Sequence, residues 1–316
     1  MKNILYKIFE IPIIVFGFYL AKIPHCLFYS HIKSLAWLLR KCDKRRYKDA
    51  LANLDFAFEN TLSTKEKQQI IKRCYRNFVF VILESIRLPY LNPHTYYQRF
   101  CIQNKDLLFD ILKKDTSLIM LSAHYGYWEA LGTIFPMEIN KDFGNFRDYG
   151  IYSLGRLTGI DFIDQMIIKR REIFNVGLIN KTGAFKKLLK LYASKPTAVG
   201  ILVDQNISQS EGIEIDFFSK RATHTTIASI LSRRFDIPIV PVLIDFNENY
   251  SSFSVQISEP FKTPNTQDMQ RDIQESTQKQ ALILENAIRK NPSSWFWFHK
   301  RWKTFYPEIY AKKSND

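Results

Sequence analysis

His124 is the residue around which chemistry can be built. It follows the apolar run at residues 117–122 (SLIMLS) and opens the segment A-H-Y-G-Y-W-E-A-L-G at 123–132, so it stands where a buried strand ends, a glycine lets the chain turn, and a helix begins near Trp128. In open α/β sheets, ligands bind at this carboxyl edge of the strands. Glu129, five residues on, falls in the first turn of that helix and can approach the imidazole. A neutral hydroxyl is a weak nucleophile, and a positioned histidine that takes its proton during attack contributes about 10²- to 10⁴-fold. A carboxylate that holds the tautomer and stabilises the imidazolium supports such a base. The pair therefore suits acylation of an alcohol, with His124 as base and Glu129 as the group that orients it. By itself the spacing is weak, because a histidine near a strand end is commonly a hydrogen-bonded structural residue. No H-E-x-x-H is present, so nothing points to a zinc peptidase.

The elements that must hold this pair are legible in the surrounding pattern. From residue 117 onward, short apolar runs alternate with helical patterns. Residues 117–122, 197–204 (TAVGILVD), 237–246 (IPIVPVLIDF) and 253–257 (FSVQI) read as strands, with a shorter one at 176–179, and residues 185–192, 225–235 and 267–290 read as helices. Three of the runs are nearly continuous in apolar character, as strands covered on both faces are. This alternation predicts an α/β domain with a mixed, largely parallel sheet flanked by helices. Asp204 ends one of the buried strands on the same sheet edge as His124, as a site residue, a helix cap or the partner of an arginine. Upstream, Ser63-Thr64-Lys65-Glu66 has capping-box form, and Ile70, Ile71, Cys74, Tyr75, Phe78, Val81 and Ile82 recur behind it at helical spacing, a stripe that reads as core packing.

The N-terminal run at 11–21 (IPIIVFGFYLA) is uncharged, but Lys7 and Glu10 precede it and Lys22 follows, leaving 11 residues where a spanning helix needs about 20. No small-x-small cleavage site follows it. Apolar character resumes at 26–29 and 35–39, and Arg40, Lys41, Lys44, Arg45, Arg46 and Lys48 then form a basic cluster of the kind that stays on the cytoplasmic side of a membrane. The expected organisation is a membrane anchor at 1–30, a helical region at 31–115 and an α/β catalytic domain at 116–316. An ordinary buried helix is the alternative for the first segment.

Composition narrows the class further. Hydrophobic residues make up 46% of the 316 residues, which suffices for a large core and excludes disorder and collagen-like repeats. A net charge of +14 calls for an anionic partner: nucleic acid, an anionic membrane surface or a phosphorylated substrate. None of the usual nucleic-acid-binding motifs is present. Cys26, Cys42, Cys74 and Cys101 show no C-x-x-C spacing, which suits a reducing compartment and small buried hydrophobes.

The motifs, taken in order, resemble a known family. His124 to Glu129 is similar to the H-x4-[DE] signature of glycerolipid-type acyltransferases. Gly200-Ile201-Leu202-Val203-Asp204-Gln205-Asn206, then Asp216-Phe217-Phe218 and Ala222-Thr223, resemble a strand ending in D-x-D, a double-aromatic run and an A-T segment. Residues 295–304 (WFWFHKRWKT) are similar to a near-terminal W-x-W-x-H-[RK]-R-[WF]-K-T. Together these resemble the late acyltransferases of lipid A biosynthesis in Gram-negative bacteria, from about residue 118 to 304. Two departures stand out: Asn206 replaces the second aspartate of D-x-D, and residues 152–157 (YSLGRL) lack the proline and asparagine of the family's corresponding segment, so no role carries over to Tyr152 or Arg156.

The resemblance implies a glycerolipid-acyltransferase-like fold with a membrane-associated helical N-terminus at the cytoplasmic side of the cell inner membrane. It implies acyl carrier protein as the donor's carrier, a phosphorylated glycolipid (a lipid A precursor) as acceptor, the bacterial inner membrane as partner, no nucleic acid, and neither cofactor nor metal. Arg171 falls in register with a family arginine that serves the active site, and its planar fork suits a phosphate or an oxyanion. Asp204, Arg301 and Lys303 join it as expected substrate-binding residues, with Trp295, Trp297 and Trp302 as core and interfacial packing and Lys186, Lys187 and Lys190 as a solvated or membrane-facing surface. Backbone N–H groups at the helix start near Gly126, or the Arg171 guanidinium, are the candidates for holding the oxyanion. The same residues suit another lipid acceptor, such as an aminolipid or a mannosylated phospholipid. A non-catalytic basic protein binding membrane or nucleic acid is the remaining class, against which the three ordered motifs argue.

Overall fold

A computed structural model describes residues 2–114, 116–143, 150–155, 159 and 161–311. Four helices lead: α1 (Lys2–Lys22), α2 (His25–Cys42), α3 (Lys44–Ala57) and α4 (Thr64–Arg87). Their boundaries have local causes. Pro24 precedes α2, the Asp43 carboxylate accepts the Arg46 N–H at 3.0 Å to start α3, and Ser63 and Glu66 form the expected capping box on α4. The chain continues through α5 (Pro93–Tyr97), β1 (Phe100–Gln103), α6 (Lys105–Leu112), β2 (Leu118–Ser122), α7 (Leu131–Phe143), β3 (Gly150–Gly155), α8 (Asp161–Glu172) and β4 (Gly177–Asn180). Then come α9 (Ala184–Ser194), β5 (Thr197–Leu202), β6 (Gly212–Phe217), β7 (Lys220–Thr225), α10 (Ile227–Phe235), β8 (Ile239–Phe246), β9 (Phe253–Ile257) and α11 (Met269–Lys290).

Seven strands form one sheet in the order β1-β9-β8-β2-β5-β3-β4. All neighbours pair in parallel except β8 and β9, so the sheet is mixed and largely parallel as expected. β2, buried at every position, lies at its centre with β5 beside it in the register Ser122↔Leu202. The sequence reading misses β1, β3 and the β6–β7 hairpin. The hairpin turn is made by Phe218 and Ser219, both at positive φ (57° and 56°), in place of the Asn-Gly that normally signals such a turn. Burial of the Phe218 ring and its N–H bond to Glu285 Oε2 at 2.6 Å hold that conformation.

One buried cluster runs from Leu20, Phe28 and Ile32 through Phe80 and Tyr127 to Trp295, Trp297 and Trp302, so packing crosses both boundaries expected at residues 30 and 115. The three tryptophans are fully buried, as the packing reading expects. The cysteines depart from expectation: only Cys74 is buried, which pushes its thiol up to about 12, whereas Cys26, Cys42 and Cys101 are free and exposed at the ends of α2 and on the edge strand β1.

The first two helices pack on α4 with Leu20, Phe28, Ile32 and Ala36, and Gly17 lets α1 come so close that a β-carbon there would lie 2.6 Å from the Ile86 carbonyl. Their other faces leave Ile11, Ile14, Val15, Phe18, Leu27, Leu35, Trp37, Leu38 and Leu39 exposed. Among the described residues, no helix is long and apolar enough to cross a membrane.

Candidate active site

Equal offsets in paired strands bring His124 and Asp204 together. Ser122 and Leu202 are partners across β2 and β5, so residues two further along each chain leave the sheet side by side, at a strand spacing of about 4.8 Å. His124 Nδ1 donates to Asp204 Oδ1 at 2.9 Å. A carboxylate only accepts, so Nδ1 carries the proton and Nε2 presents its lone pair to the open side. Asp204 is fully buried, and its other oxygen accepts the Trp295 indole N–H at 2.9 Å. The neutral His299, held down to about 4 chiefly by burial, donates Nε2–H to the Asp204 carbonyl at 3.1 Å.

Electrostatics follow from this arrangement. Burial opposes the His124 imidazolium, but the charge and hydrogen bond of Asp204 outweigh it, with a smaller push from Glu129, and the net shift is upward. Burial by itself would raise Asp204, yet His124, His299 and the Trp295 N–H hold it far below the usual carboxylate range.

The connection after β2 is pinned on both sides. Gly126 has φ 55°, and a β-carbon there would sit 1.6 Å from the Ile244 carbonyl, so only glycine fits. Its N–H donates to the Ser294 carbonyl at 2.8 Å, and that of Tyr127 to the Ile244 carbonyl at 3.0 Å. The N–H groups of Gly126 and Tyr127 are thus engaged with protein carbonyls.

Glu129 does not take the place expected for it against the imidazole. The chain turns at Gly126, and the Glu129 carboxylate instead meets Arg171 Nη2 at 3.0 Å and the Trp128 indole N–H at 3.2 Å. Arg171 reaches it from α8 and lines the same cleft as His124, with its Nε buried and unpartnered. The pair is partly exposed, so it contributes only about 0–1 kcal/mol to stability. Glu129→Gln and Arg171→Gln should therefore barely change Tm while lowering kcat/KM for acyl transfer about 10- to 150-fold, the scale of a charge-assisted hydrogen bond. The double variant should cost little more than either single one; additive losses would show that the two side chains act separately.

Two expected substrate contacts are corrected. Asp204 faces His124 and Trp295 from full burial and offers nothing to a ligand. Arg301, also fully buried, donates to the Thr223 carbonyl and approaches His224 Nδ1 at 3.3 Å, locking β7 against the C-terminal segment. Lys303 is exposed, but the cleft is lined without it. Asn206, where the resemblance calls for a second aspartate, accepts the Thr304 hydroxyl at 3.0 Å and the Thr223 hydroxyl at 3.3 Å, a structural role. Tyr152 borders a small pocket behind Arg171, Arg156 lies outside the described residues, and Lys186, Lys187 and Lys190 are exposed on α9.

His124 opens into a cleft of about 680 Å³ walled by Ile13 of α1, Val81, Ile82 and Ile86 of α4, and Leu154, Ile167, Leu178 and Leu202. Its few polar groups are His124, Glu129, Arg171, Lys181, Gln205, Ser85 and Thr133. An apolar cleft with a few convergent polar groups suits an acyl chain with one reacting end. Gln205 Nε2 lies 3.5 Å from His124 Nε2. Sequence reading missed Lys181, Gln205 and the Asp204-holding roles of Trp295 and His299; the position of Gln205 next to Asp204 was the one available signal. Among the described residues, no group of three His, Cys, Asp or Glu side chains is arranged to hold a metal ion.

A histidine with its Nδ1 on a buried carboxylate and its Nε2 facing an apolar cleft can take a proton from a group seated there. Residues 5–304 match the family model for the bacterial lipid A biosynthesis acyltransferase, and the chain belongs to that family. It is an acyltransferase with a role in lipid A biosynthesis. No curated protein matches the chain.

Proposed function

We propose that the protein moves a fatty acyl chain from an acyl carrier protein thioester to a hydroxyl of a phosphorylated lipid A precursor, working at the cytoplasmic face of the inner membrane. The observation that carries this reading is the His124–Asp204 pair at the floor of an apolar cleft in a chain of this family. His124 Nε2 takes the acceptor's hydroxyl proton as the oxygen attacks the thioester carbonyl. A tetrahedral oxyanion forms and collapses, the C–S bond breaks, and the imidazolium returns its proton to the leaving thiolate. Asp204 fixes the tautomer and offsets the imidazolium charge. The oxyanion falls to donors beside the imidazole: the side chains of Arg171, Lys181 and Gln205, or the N–H groups at the helix start.

The donor's carrier is supported by charge: a chain of +14 attracts an acidic protein. Membrane association is supported by α1, which supplies Ile13 to the cleft while exposing Ile11, Ile14, Val15 and Phe18 beside it. Such a helix lies in the interface and opens the cleft toward lipid.

The test is a reaction of the purified chain in detergent micelles with an acyl carrier protein thioester and a lipid A precursor, read by mass spectrometry. The precursor should gain one acyl group as free thiol is released. Release of thiol with no mass gain on the precursor would overturn the assigned acceptor.

A further inference from the structure

We infer that α2 and α4 hold between them a binding site for the phosphate of an anionic phospholipid headgroup, separate from the catalytic cleft. A small cleft of about 190 Å³ is lined on α2 by Lys33, Ala36, Trp37 and Arg40 and on α4 by Lys72 and Arg76. The α2 residues recur at i, i+3, i+4 and i+7, the α4 pair at i and i+4, so both sets face one groove. Among the described residues, none of the four cations has a carboxylate within ion-pair distance, and Asp43, the next acid along the chain, is bound to Arg46 at 2.7 Å. Four cations gathered without an acid repel one another and favour an anion between them. Arg40 and Arg76 are half-buried, so their guanidinium forks are partly preorganised for phosphate. The volume admits a group several times the ~30 Å³ of a water molecule.

A lipid is the source because of what adjoins the groove. Leu35, Trp37, Leu38 and Leu39 of the same helix are exposed, so a phosphate held by the cations would place its acyl chains against apolar side chains, with Trp37 at the level of the headgroups. The inference rests on the interfacial placement of the first two helices proposed above.

The test is flotation of the full chain with liposomes of phosphatidylcholine alone and of phosphatidylcholine with phosphatidylglycerol. The wild type should float on both and partition more strongly onto the anionic ones. Arg40→Gln/Lys72→Gln/Arg76→Gln should lose roughly 5-fold per charge, about 100-fold in all, on anionic liposomes, and bind phosphatidylcholine as the wild type does. Its Tm should hold or rise as the repulsion is relieved. Lys113→Gln/Lys114→Gln/Lys195→Gln removes the same charge from exposed positions leading into β2 and β5, at the opposite end of the sheet from His124, and should stay within a few-fold of wild type. Equal losses in the two triple variants, or none in the first, would overturn the site. So would an effect of the first variant confined to the acceptor's KM in micelles, because the cations would then hold substrate phosphates. A wild type that floats only with phosphatidylglycerol, in a manner dependent on the three cations, would uphold the site while overturning apolar insertion of α1 and α2.

Discussion

His124→Asn should lower kcat for acyl transfer by about 10²- to 10⁴-fold, the contribution of a positioned base, with Tm close to wild type. The asparagine amide keeps an N–H near the position of Nδ1 and so still serves Asp204, while the basic Nε2 is gone. His124→Ala should lose the same activity and also Tm, because it leaves the fully buried Asp204 carboxylate with the Trp295 N–H but without its main partner. An uncompensated buried charge of this kind costs about 3–5 kcal/mol. The backbone is insulated from both changes, since the His124 carbonyl accepts the Phe296 N–H at 2.9 Å whatever the side chain. Single-turnover acylation together with thermal denaturation of both variants checks this. Near-normal kcat in His124→Asn would show that another group takes the proton.

Asp204→Asn should also cost about 10²- to 10⁴-fold, by a different route. The carboxamide can present an N–H toward Nδ1 and so favours the tautomer with its proton on Nε2, where the lone pair is needed. The pH profile separates this route from simple misfolding. Wild-type kcat/KM should rise with pH through the His124 pKa, above the ordinary value of about 6.5. Without Asp204 the opposing effect of burial remains, so the inflection moves to lower pH. Glu129→Gln should move it the same way but less, because Glu129 is the smaller contributor. Stability obeys the same signs. The raised His124 stabilises the fold fully below the unfolded pKa and ceases to do so as pH rises through the folded one. The depressed Asp204 stabilises it above about pH 4 and loses that as pH falls. The Tm gap between wild type and Asp204→Asn should therefore be widest between about pH 4 and 6.5, and an unchanged gap from pH 5 to 9 would argue against the pair.

Local order along the chain was enough for some of this protein. β2, β5 and β8 could be read because strands covered on both faces must be almost wholly apolar, β9 because apolar and polar residues alternate in it, and the start of α4 because a capping box is satisfied within four residues. His124 at a strand end and the family motifs were legible for the same reason. Strand neighbours were not, because paired residues of β2 and β5 such as Ser122 and Leu202 are 80 residues apart (202 − 122) yet adjacent in the sheet, and no local pattern encodes that pairing. Proximity in sequence pointed instead to Glu129, but the pinned turn at Gly126 carries it to Arg171 and leaves Asp204 as the partner of the imidazole. Likewise, a basic run such as His299-Lys300-Arg301 reads alike whether it meets phosphate or folds inward. The β6–β7 hairpin made the difference, since its carbonyl at Thr223 satisfies the Arg301 guanidinium away from water. Side-chain type is a local property, whereas burial and partnership depend on which distant segments pack together.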